Sequence, residues 1–240
     1  MIQQDTVDKA PLQTSYPDIR IGEILKFSTL DYPGKLSAVV FCQGCLNRCV
    51  YCHNPDFLNI NKNGKIKFRY LIEFLKNRIG LLDAVVFSGG EPTIQEALPE
   101  AIEIIKELGF MVGIHTSGIL PEKLDKLLKL VDWVGFDIKT TFKNYEKITK
   151  FPGSGEFAKK SFDKLVNSDR SFEIRTTVDS RYISSDDLCE IAKFLQANKV
   201  KKWILQECVL RNFRNEIKIP LPEQQTIDEL SRYVKVELRK

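Results

Sequence analysis

The chain has 240 residues, 43% of them hydrophobic, and its 36 basic and 32 acidic residues leave a formal net charge of +4. This length allows one domain with a core of ordinary density, and the scattered Lys and Arg residues argue against a nucleic-acid-binding surface. Residues 1–16 contain no apolar run long enough for a secretory signal or a membrane anchor, so we expect no contact with a membrane.

Six cysteines are present, and three of them lie within one short segment. The other three, Cys42, Cys189 and Cys208, lack the paired spacing that is typical of disulfide-rich secreted domains. We therefore expect reduced thiols and a cytoplasmic location.

We interpret residues 1–18 as a flexible leader. After them, strand and helix patterns alternate along the chain. After a short hairpin predicted around Ile19–Phe27, apolar runs predict strands at Ser37–Phe41, Ala84–Phe87, Met111–His115, Trp133–Asp137, Phe172–Val178 and Trp203–Gln206. Apolar residues at helical spacing predict helices at Phe68–Ile79, Ile94–Leu108, Pro121–Leu130 and Asp186–Ala197. Such alternation is typical of parallel sheets, and six units are two short of a closed eight-stranded barrel. The sequence therefore predicts an α/β fold, a partial (βα)6 TIM-like barrel over residues 19–210 that is open on one side.

Residues 211–240 break this alternation. Pro220 and Pro222 precede a predicted helix over Glu223–Tyr233, and Val234–Leu238 alternates as a short strand does. We expect this C-terminal helix and strand to pack on the barrel.

Cys45, Cys49 and Cys52 form a C-x3-C-x2-C triplet just behind the first strand of the barrel. Tetrahedral zinc and a fully protein-held iron-sulfur cluster each take four ligands, whereas three thiolates on a 4Fe-4S cluster leave one iron free for another molecule. The alternatives are a zinc site with His53 as the fourth ligand, or three ordinary buried cysteines. Adjacent Cys52 and His53 point in different directions in most backbone conformations, which favours the iron-sulfur interpretation.

Polar motifs follow the next three predicted strands, where ligands of parallel sheets bind. Ser88–Pro92 contains two glycines that would let the backbone approach a ligand closely, and Thr116, Ser117, Asp137 and Lys139 follow. The alternatives are an ordinary strand-to-helix turn, a helix N-cap at Ser117 and a surface ion pair between Asp137 and Lys139.

Arg175 lies on the fifth predicted strand, where a barrel interior would take an apolar side chain. A charge at that position needs a partner, either a ligand carboxylate or ribose, or an interior acid such as Asp137. Gln206 ends the sixth strand and could reach the same ligand.

Several motifs together resemble one enzyme superfamily. The triplet, with Tyr51 before its last cysteine, resembles the cluster-binding loop of radical S-adenosylmethionine (SAM) enzymes. The chain further resembles the glycyl-radical-enzyme activases. The resemblance is strongest to the activating protein of anaerobic ribonucleoside-triphosphate reductase. It lies in the order and spacing of five segments, namely Ser28–Gly34, Phe41–Cys45, Cys52–Pro55, Ser88–Pro92 and Asp137–Lys139.

This resemblance, which covers roughly residues 20 to 207, implies a radical SAM barrel and the chemistry that goes with it. Cys45, Cys49 and Cys52 would hold a 4Fe-4S cluster whose free iron binds the methionyl group of SAM. An electron, supplied by flavodoxin or ferredoxin, would split SAM into methionine and a 5′-deoxyadenosyl radical. The radical would then take a hydrogen atom from a glycine of a partner enzyme, most simply an anaerobic ribonucleotide reductase.

The resemblance also implies the residues that contact SAM. Tyr51 would contact adenine, the Ser88–Gly90 backbone would accept from the amino group, and Glu91 would fix that loop. Lys139 would pair with the SAM carboxylate. The set that the resemblance implies is Tyr51, Ser88, Gly89, Gly90, Glu91, Thr116, Ser117, Asp137 and Lys139. Arg175 and Gln206 join the predicted SAM contacts because of their places on the fifth and sixth strands.

Two positions depart from the activases. His115 replaces an acidic residue that helps to hold a monovalent cation in the pyruvate formate-lyase branch, which leaves that cation open here. Leu46-Asn47-Arg48 inverts the more usual Asn-Leu-Arg order without changing the cysteine spacing. Two other functions stay open as alternatives: a radical SAM enzyme acting on a small molecule, such as 7-carboxy-7-deazaguanine synthase, and a non-catalytic iron-sulfur or zinc module.

Overall fold

The computed structural model describes residues 16–211 and 216–239, so most of the predicted leader lies outside the described residues. The strands are β1 (Ile21–Ser28), β2 (Ser37–Cys42), β3 (Ala84–Gly89), β4 (Met111–Thr116), β5 (Trp133–Asp137), β6 (Ser171–Val178), β7 (Lys202–Arg211), β8 (Glu216–Ile219) and β9 (Lys235–Arg239). The helices are α1 (Phe68–Lys76), α2 (Leu98–Glu107), α3 (Pro121–Leu127), α4 (Tyr145–Thr149), α5 (Ser154–Val166), α6 (Ser185–Ala197) and α7 (Gln224–Leu230).

The strands β2 to β7 are parallel and lie side by side in chain order. β1 pairs antiparallel with β2 at one edge, and β9 pairs parallel with β7 at the other. Within the described ranges, no pairing joins β1 to β9, so the sheet is open. The predicted α/β partial barrel is thereby confirmed.

Local differences from the predictions have simple causes. The hairpin predicted around Ile19–Phe27 is instead the single strand β1, because the turn lies later, where Gly34 adopts a positive φ of 71°. The helix predicted from Ile94 starts only at Leu98, since Gln95 has an extended ψ of 114°. The sequence patterns did not reveal α5, β8 or the pairing of β9 with β7.

The two faces of the sheet bury different side chains. The main core lies between the sheet and the helices and includes Val40, Phe87, Phe136 and Leu205, all fully buried. A smaller apolar cluster of Tyr32, Ala84, Val86 and Trp133 fills the inner face of the barrel. The inner face above this cluster carries polar and charged side chains, which leaves room for a site.

A buried carboxylate ties the last strand to the barrel. The Glu173 side chain on β6 is 2% exposed, and its Oε1 accepts from Arg239 Nη2 of β9 at 3.0 Å. Lys202 Nζ lies 3.5 Å from Oε2 of the same carboxylate. The C-terminal strand thus supplies the closest positive charge to an acid that could not be buried alone.

No helix of the described part of the chain combines the length and the apolar composition that crossing a bilayer requires.

The Arg239–Glu173 pair predicts a stability effect. Arg239→Ala should lower the free energy of unfolding by about 2 kcal/mol, because it leaves the buried carboxylate with only Lys202, whose Nζ lies 3.5 Å from the other oxygen. For a chain of this size, thermal unfolding of the apoprotein should then shift down by roughly 4–8 °C. Lys235→Ala is the matched control on β9, because its pair with Glu237 is exposed and should contribute nothing measurable. An unchanged midpoint in Arg239→Ala would contradict this role.

Candidate functional site

A cleft with a cavity volume of about 170 Å³ opens at the carboxyl ends of the parallel strands, where ligands of such sheets bind. Most of the predicted site residues line it, namely Cys45, Tyr51, Cys52, Ser88, Gly89, Gly90, Glu91, Thr116, Ser117, Asp137, Lys139 and Arg175. Cys49 and Gln206 are not part of the described lining. The sequence patterns missed several lining residues, among them Asn47, Asn54, Leu58 and Thr177.

The cysteine triplet lies on the loop after β2, and this loop is held at several points. Arg48 Nη1 donates to the carbonyl of Cys45 at 2.6 Å and to that of Asn47 at 2.8 Å. Backbone hydrogen bonds run from Arg48 to Thr149 and from Val50 to Ile148, so α4 supports the loop from outside. Cys45 is buried, and Cys49 and Cys52 are half-buried.

The chemistry of these thiols suits a metal cluster. Burial, and then the charge of Glu91, raises the pKa of Cys45 to about 12, and burial also raises the pKa of Cys49. They therefore stay protonated at neutral pH unless metal cations replace the protons. In the described residues, no group of three or more His, Cys, Asp or Glu side chains is placed to hold one metal ion. A 4Fe-4S cluster differs from such a site, because each thiolate binds a different iron.

Two glycines of the Ser88–Pro92 motif allow close contact between loops. A Cβ on Gly90 would collide with the carbonyl oxygen of Gly44, and a Cβ on Gly89 would lie 2.6 Å from the backbone nitrogen of Cys42. Gly89 also has a positive φ of 97°, which other residues rarely adopt. These glycines, which were predicted to let a ligand approach the backbone, also allow their own loop to pack closely against the backbone of β2 and of the cysteine loop.

The Glu91 carboxylate joins two of the loops that line the cleft. Glu91 is 1% exposed. Its Oε1 accepts from Thr116 Oγ1 at 2.7 Å and from the Thr93 hydroxyl at 2.8 Å, and the Thr93 amide lies 3.3 Å away. Its Oε2 accepts from the Ser117 amide at 2.9 Å and from the Ser117 hydroxyl at 2.6 Å. Glu91 therefore fixes the loop after β3 to the loop after β4, and its lone pairs are taken.

Three charged side chains form an interior network on β5 and β6. The register of these strands places Asp137 beside Arg175. Asp137 Oδ1 accepts from Arg175 Nε and Nη2, each at 2.9 Å, and Oδ2 accepts from Lys139 Nζ at 2.9 Å. Burial alone would raise the pKa of Asp137, but Arg175 and then Lys139 outweigh it and hold that pKa below its usual value. All three groups are charged, which leaves one positive charge in excess.

Tyr145 of α4 holds the segment that carries Lys139. Its hydroxyl accepts from the Lys139 amide at 3.0 Å and donates to the Asp137 carbonyl at 3.1 Å. Sequence reasoning missed Tyr145, because no local pattern distinguishes it from any other buried aromatic residue of a helix.

Two buried polar atoms beside the cleft have no hydrogen-bond partner. They are Tyr51 Oη and Asn47 Oδ1, and both residues line the cleft. An unpaired polar group of this kind costs about 1–3 kcal/mol, which a bound polar ligand would offset. The cleft therefore has free polar atoms, two of the three cysteines of the triplet in its lining, and a network of Asp137, Arg175 and Lys139 with one surplus positive charge. This combination fits both a 4Fe-4S cluster and SAM.

The chain matches the family model described as the Radical SAM superfamily over residues 39–195. It is 34% identical to a Methanocaldococcus jannaschii protein classed as a glycyl-radical enzyme activating enzyme, over 90% of this chain and 91% of that protein. It is 30% identical to the pyruvate formate-lyase-activating enzyme of Clostridium pasteurianum, over 91% of this chain and 87% of that enzyme. A 7-carboxy-7-deazaguanine synthase of Aquifex aeolicus is 28% identical over 73% of this chain and 80% of that enzyme.

Solved structures share the architecture. A radical SAM methyltransferase from Sphaerobacter thermophilus superposes with a TM-score of 0.64 at 17% identity, covering 87% of this chain and 67% of that one. At this level of identity the likeness concerns the fold.

The hydrogen bonds of Glu91 predict a large effect of one substitution. Glu91→Gln replaces an accepting oxygen by an NH2 group that faces the donors of Thr116 or Ser117, so it should lower the free energy of unfolding by about 3 kcal/mol. Thermal unfolding of the apoprotein should shift down by roughly 6–12 °C. Glu96→Gln is the control, since the Glu96 side chain is 87% exposed and its loss should not move the midpoint. Equal midpoints for the two variants would refute the structural role of Glu91.

Proposed function

The chain belongs to the radical SAM superfamily and is an enzyme that uses a 4Fe-4S cluster and SAM, and from this premise we propose that it activates a glycyl-radical enzyme. The observation that carries this proposal is the match to two such activating enzymes over at least 90% of the chain. The substrate would then be a glycine in the backbone of another protein, and the open side of the sheet offers a way in for it.

We assign the cluster to Cys45, Cys49 and Cys52, which leave one iron without a protein ligand. A cluster held there would supply the electron for the reductive cleavage of SAM. Arg48 and the backbone of α4 hold the cysteine loop in place, and Gly90 packs against Gly44 on the cleft side.

The charges of the cleft match the charges of SAM. One carboxylate, Asp137, faces two cations, Arg175 and Lys139, so the network has a surplus of one positive charge. We propose that Lys139 pairs with the SAM carboxylate. Asp137 holds the Lys139 ammonium in position, and Tyr145 holds the Lys139 backbone amide. Arg175, which already binds Asp137 through two nitrogens, acts as a support for that carboxylate.

The remaining predicted contacts agree with this orientation of SAM. Tyr51 has a free buried hydroxyl beside the cleft, which suits contact with the adenosine part. Ser88 and Gly90 lie on the opposite loop, near the cysteines, and suit the methionyl part. Thr116 and Ser117 act through Glu91, to which both donate. Contact of Gln206 with the adenine or the ribose stays a prediction, because Gln206 lies on β7 outside the described lining.

For the partner, we propose an anaerobic ribonucleotide reductase, supported by the order and spacing of the motifs at residues 28–34, 41–45 and 88–92. The electron donor would be flavodoxin or ferredoxin, whose acidic surfaces suit a chain of net charge +4. We further propose that residues 19–210 form the catalytic unit and that the C-terminal helix and strand complete its edge, as the β7–β9 pairing indicates.

A radical SAM enzyme acting on a small molecule is the second candidate, favoured by the similarity to a 7-carboxy-7-deazaguanine synthase. That match covers less of the chain, at lower identity, than the matches to the activating enzymes.

The cluster assignment predicts the result of removing one thiol. Cys49→Ala should lose the iron of the reconstituted cluster and all cleavage of SAM, both measured after anaerobic reconstitution and reduction with dithionite. Cys189→Ala is the control, since Cys189 lies on α6 near Glu229, and it should keep both properties. SAM cleavage by the Cys49→Ala variant would contradict the assignment.

The activase proposal predicts a radical on a partner protein. The reduced enzyme with SAM should generate a glycyl doublet in the electron paramagnetic resonance spectrum of an anaerobic ribonucleotide reductase from the same source. A doublet only on pyruvate formate-lyase would correct the partner and keep the reaction. Formation of 5′-deoxyadenosine without a doublet on either protein, but with turnover of a pterin substrate, would favour the small-molecule alternative.

A further inference from the structure

The motif Ser28–Gly34 has no role in the site described so far, yet it contacts His115, a residue that lines the cleft. It forms the turn between β1 and β2 and folds onto the inner face of the barrel, where the Tyr32 ring packs on Trp133 with centroids 5.1 Å apart. His115 contacts the same cluster, with its ring centroid 5.5 Å from that of Trp133. His115 also lines the cleft.

The hydrogen bonds of His115 define its tautomer. Nε2 lies 3.0 Å from the backbone carbonyl oxygen of Asp31, which can only accept, so Nε2 carries a proton. Burial, and then the charge of Arg175, lowers the pKa of His115 to about 3, so the ring is neutral at physiological pH. Nδ1 therefore has a free lone pair.

The Ser88 hydroxyl is the partner of that lone pair. Ser88 Oγ lies 3.2 Å from His115 Nδ1, and the hydroxyl has a single proton, which it must donate to the ring. Its own lone pairs then remain for the cleft, which Ser88 also lines. A chain of hydrogen bonds thus runs from Ser88 through His115 to the backbone of the β1–β2 turn.

The two carboxylates of the cleft are already used as acceptors. Glu91 accepts from Thr93, Thr116 and Ser117, and Asp137 accepts from Arg175 and Lys139. A cationic donor that enters the cleft next to the cysteine loop therefore meets neutral acceptors, namely the free Asn47 Oδ1 of that loop and Ser88 Oγ, whose lone pairs stay available when its proton is donated to His115.

We propose that His115 is a positioning residue for SAM and that it acts through Ser88. By accepting the proton of the Ser88 hydroxyl, His115 leaves the Ser88 oxygen as an acceptor for the ammonium of the methionyl group. This inference rests on the proposed use of the cleft for SAM and does not depend on which partner is activated. It gives the β1–β2 turn a function as well, because the Asp31 carbonyl orients the imidazole ring.

A double-mutant cycle on SAM binding tests this role. Binding is measured by equilibrium dialysis of labelled SAM with reconstituted protein whose cluster is oxidised, so no turnover occurs. Ser88→Ala and His115→Phe should each weaken SAM binding about tenfold, because a hydrogen bond to a charged group is lost. The double variant should be no weaker than either single variant, since both remove the same contact. A loss of about a hundredfold in the double variant would show that His115 acts independently of Ser88 and overturn the proposal.

Two further measurements separate positioning from packing. His115→Asn keeps an acceptor near the place of Nδ1 and should bind SAM within about threefold of the wild type, so it also serves if His115→Phe does not fold. Met111→Leu, a change on the same strand within the inner cluster, should leave SAM binding unchanged. An equal loss in His115→Asn and His115→Phe would assign His115 a packing role only.

The two products of SAM cleavage identify the end of SAM that is held. In competition with labelled SAM, L-methionine should bind more weakly to Ser88→Ala and His115→Phe, whereas 5′-deoxyadenosine should bind as it does to the wild type. A loss confined to 5′-deoxyadenosine would overturn the assignment to the ammonium. Failure of the wild type to bind SAM would instead refute the proposed function.

Discussion

The buried carboxylate of Glu91 is the constraint on which the rest of the site depends. The carboxylate accepts hydrogen bonds from the loops after β3 and β4. The backbone amide of Glu91 donates to the carbonyl oxygen of Gly44 in the cysteine loop at 2.9 Å. Three separate loops thereby take one relative position. A carboxylate buried to this extent is stable only when its lone pairs are satisfied, so the loops cannot move apart without exposing or orphaning the charge.

The two carboxylates of the cleft, Glu91 and Asp137, have different partners and different roles. Glu91 accepts hydrogen bonds from neutral donors and holds two loops together. Asp137 instead accepts from two cations, Arg175 and Lys139. Of these two groups, only the network of Asp137, Arg175 and Lys139 has a surplus charge that a ligand could neutralise, and that charge is positive. His115 adds none, because burial keeps the ring neutral. The result is a cleft that can attract a carboxylate at one place and accept hydrogen bonds from an ammonium at another, as a zwitterionic methionyl group requires.

The open sheet makes this site accessible without making it loose. The large core lies between the sheet and the helices, so the rigidity of the strands does not depend on filling the barrel interior. The inner face needs only the small cluster around Tyr32 and Trp133, and the space above it is free. At the far edge, the ion pair of Arg239 with Glu173 anchors β9. A protein segment offered as substrate could thus approach from the side while the cofactor end stays packed.

The sequence by itself determined the elements whose signals are local: the parallel strands, the cysteine triplet and the polar motifs that follow strands and meet at one edge of the sheet. It also identified the unusual interior charge of Arg175 but left two partners open, and only the β5–β6 register decided for Asp137. Tertiary structure alone decided that Gly90 packs on Gly44, that Tyr145 supports Lys139 and that Ser88 donates to His115. The reason is physical: periodicity and spacing record which way a side chain faces along its own element, whereas a hydrogen-bond partner that is distant in sequence is set by how elements pack against each other.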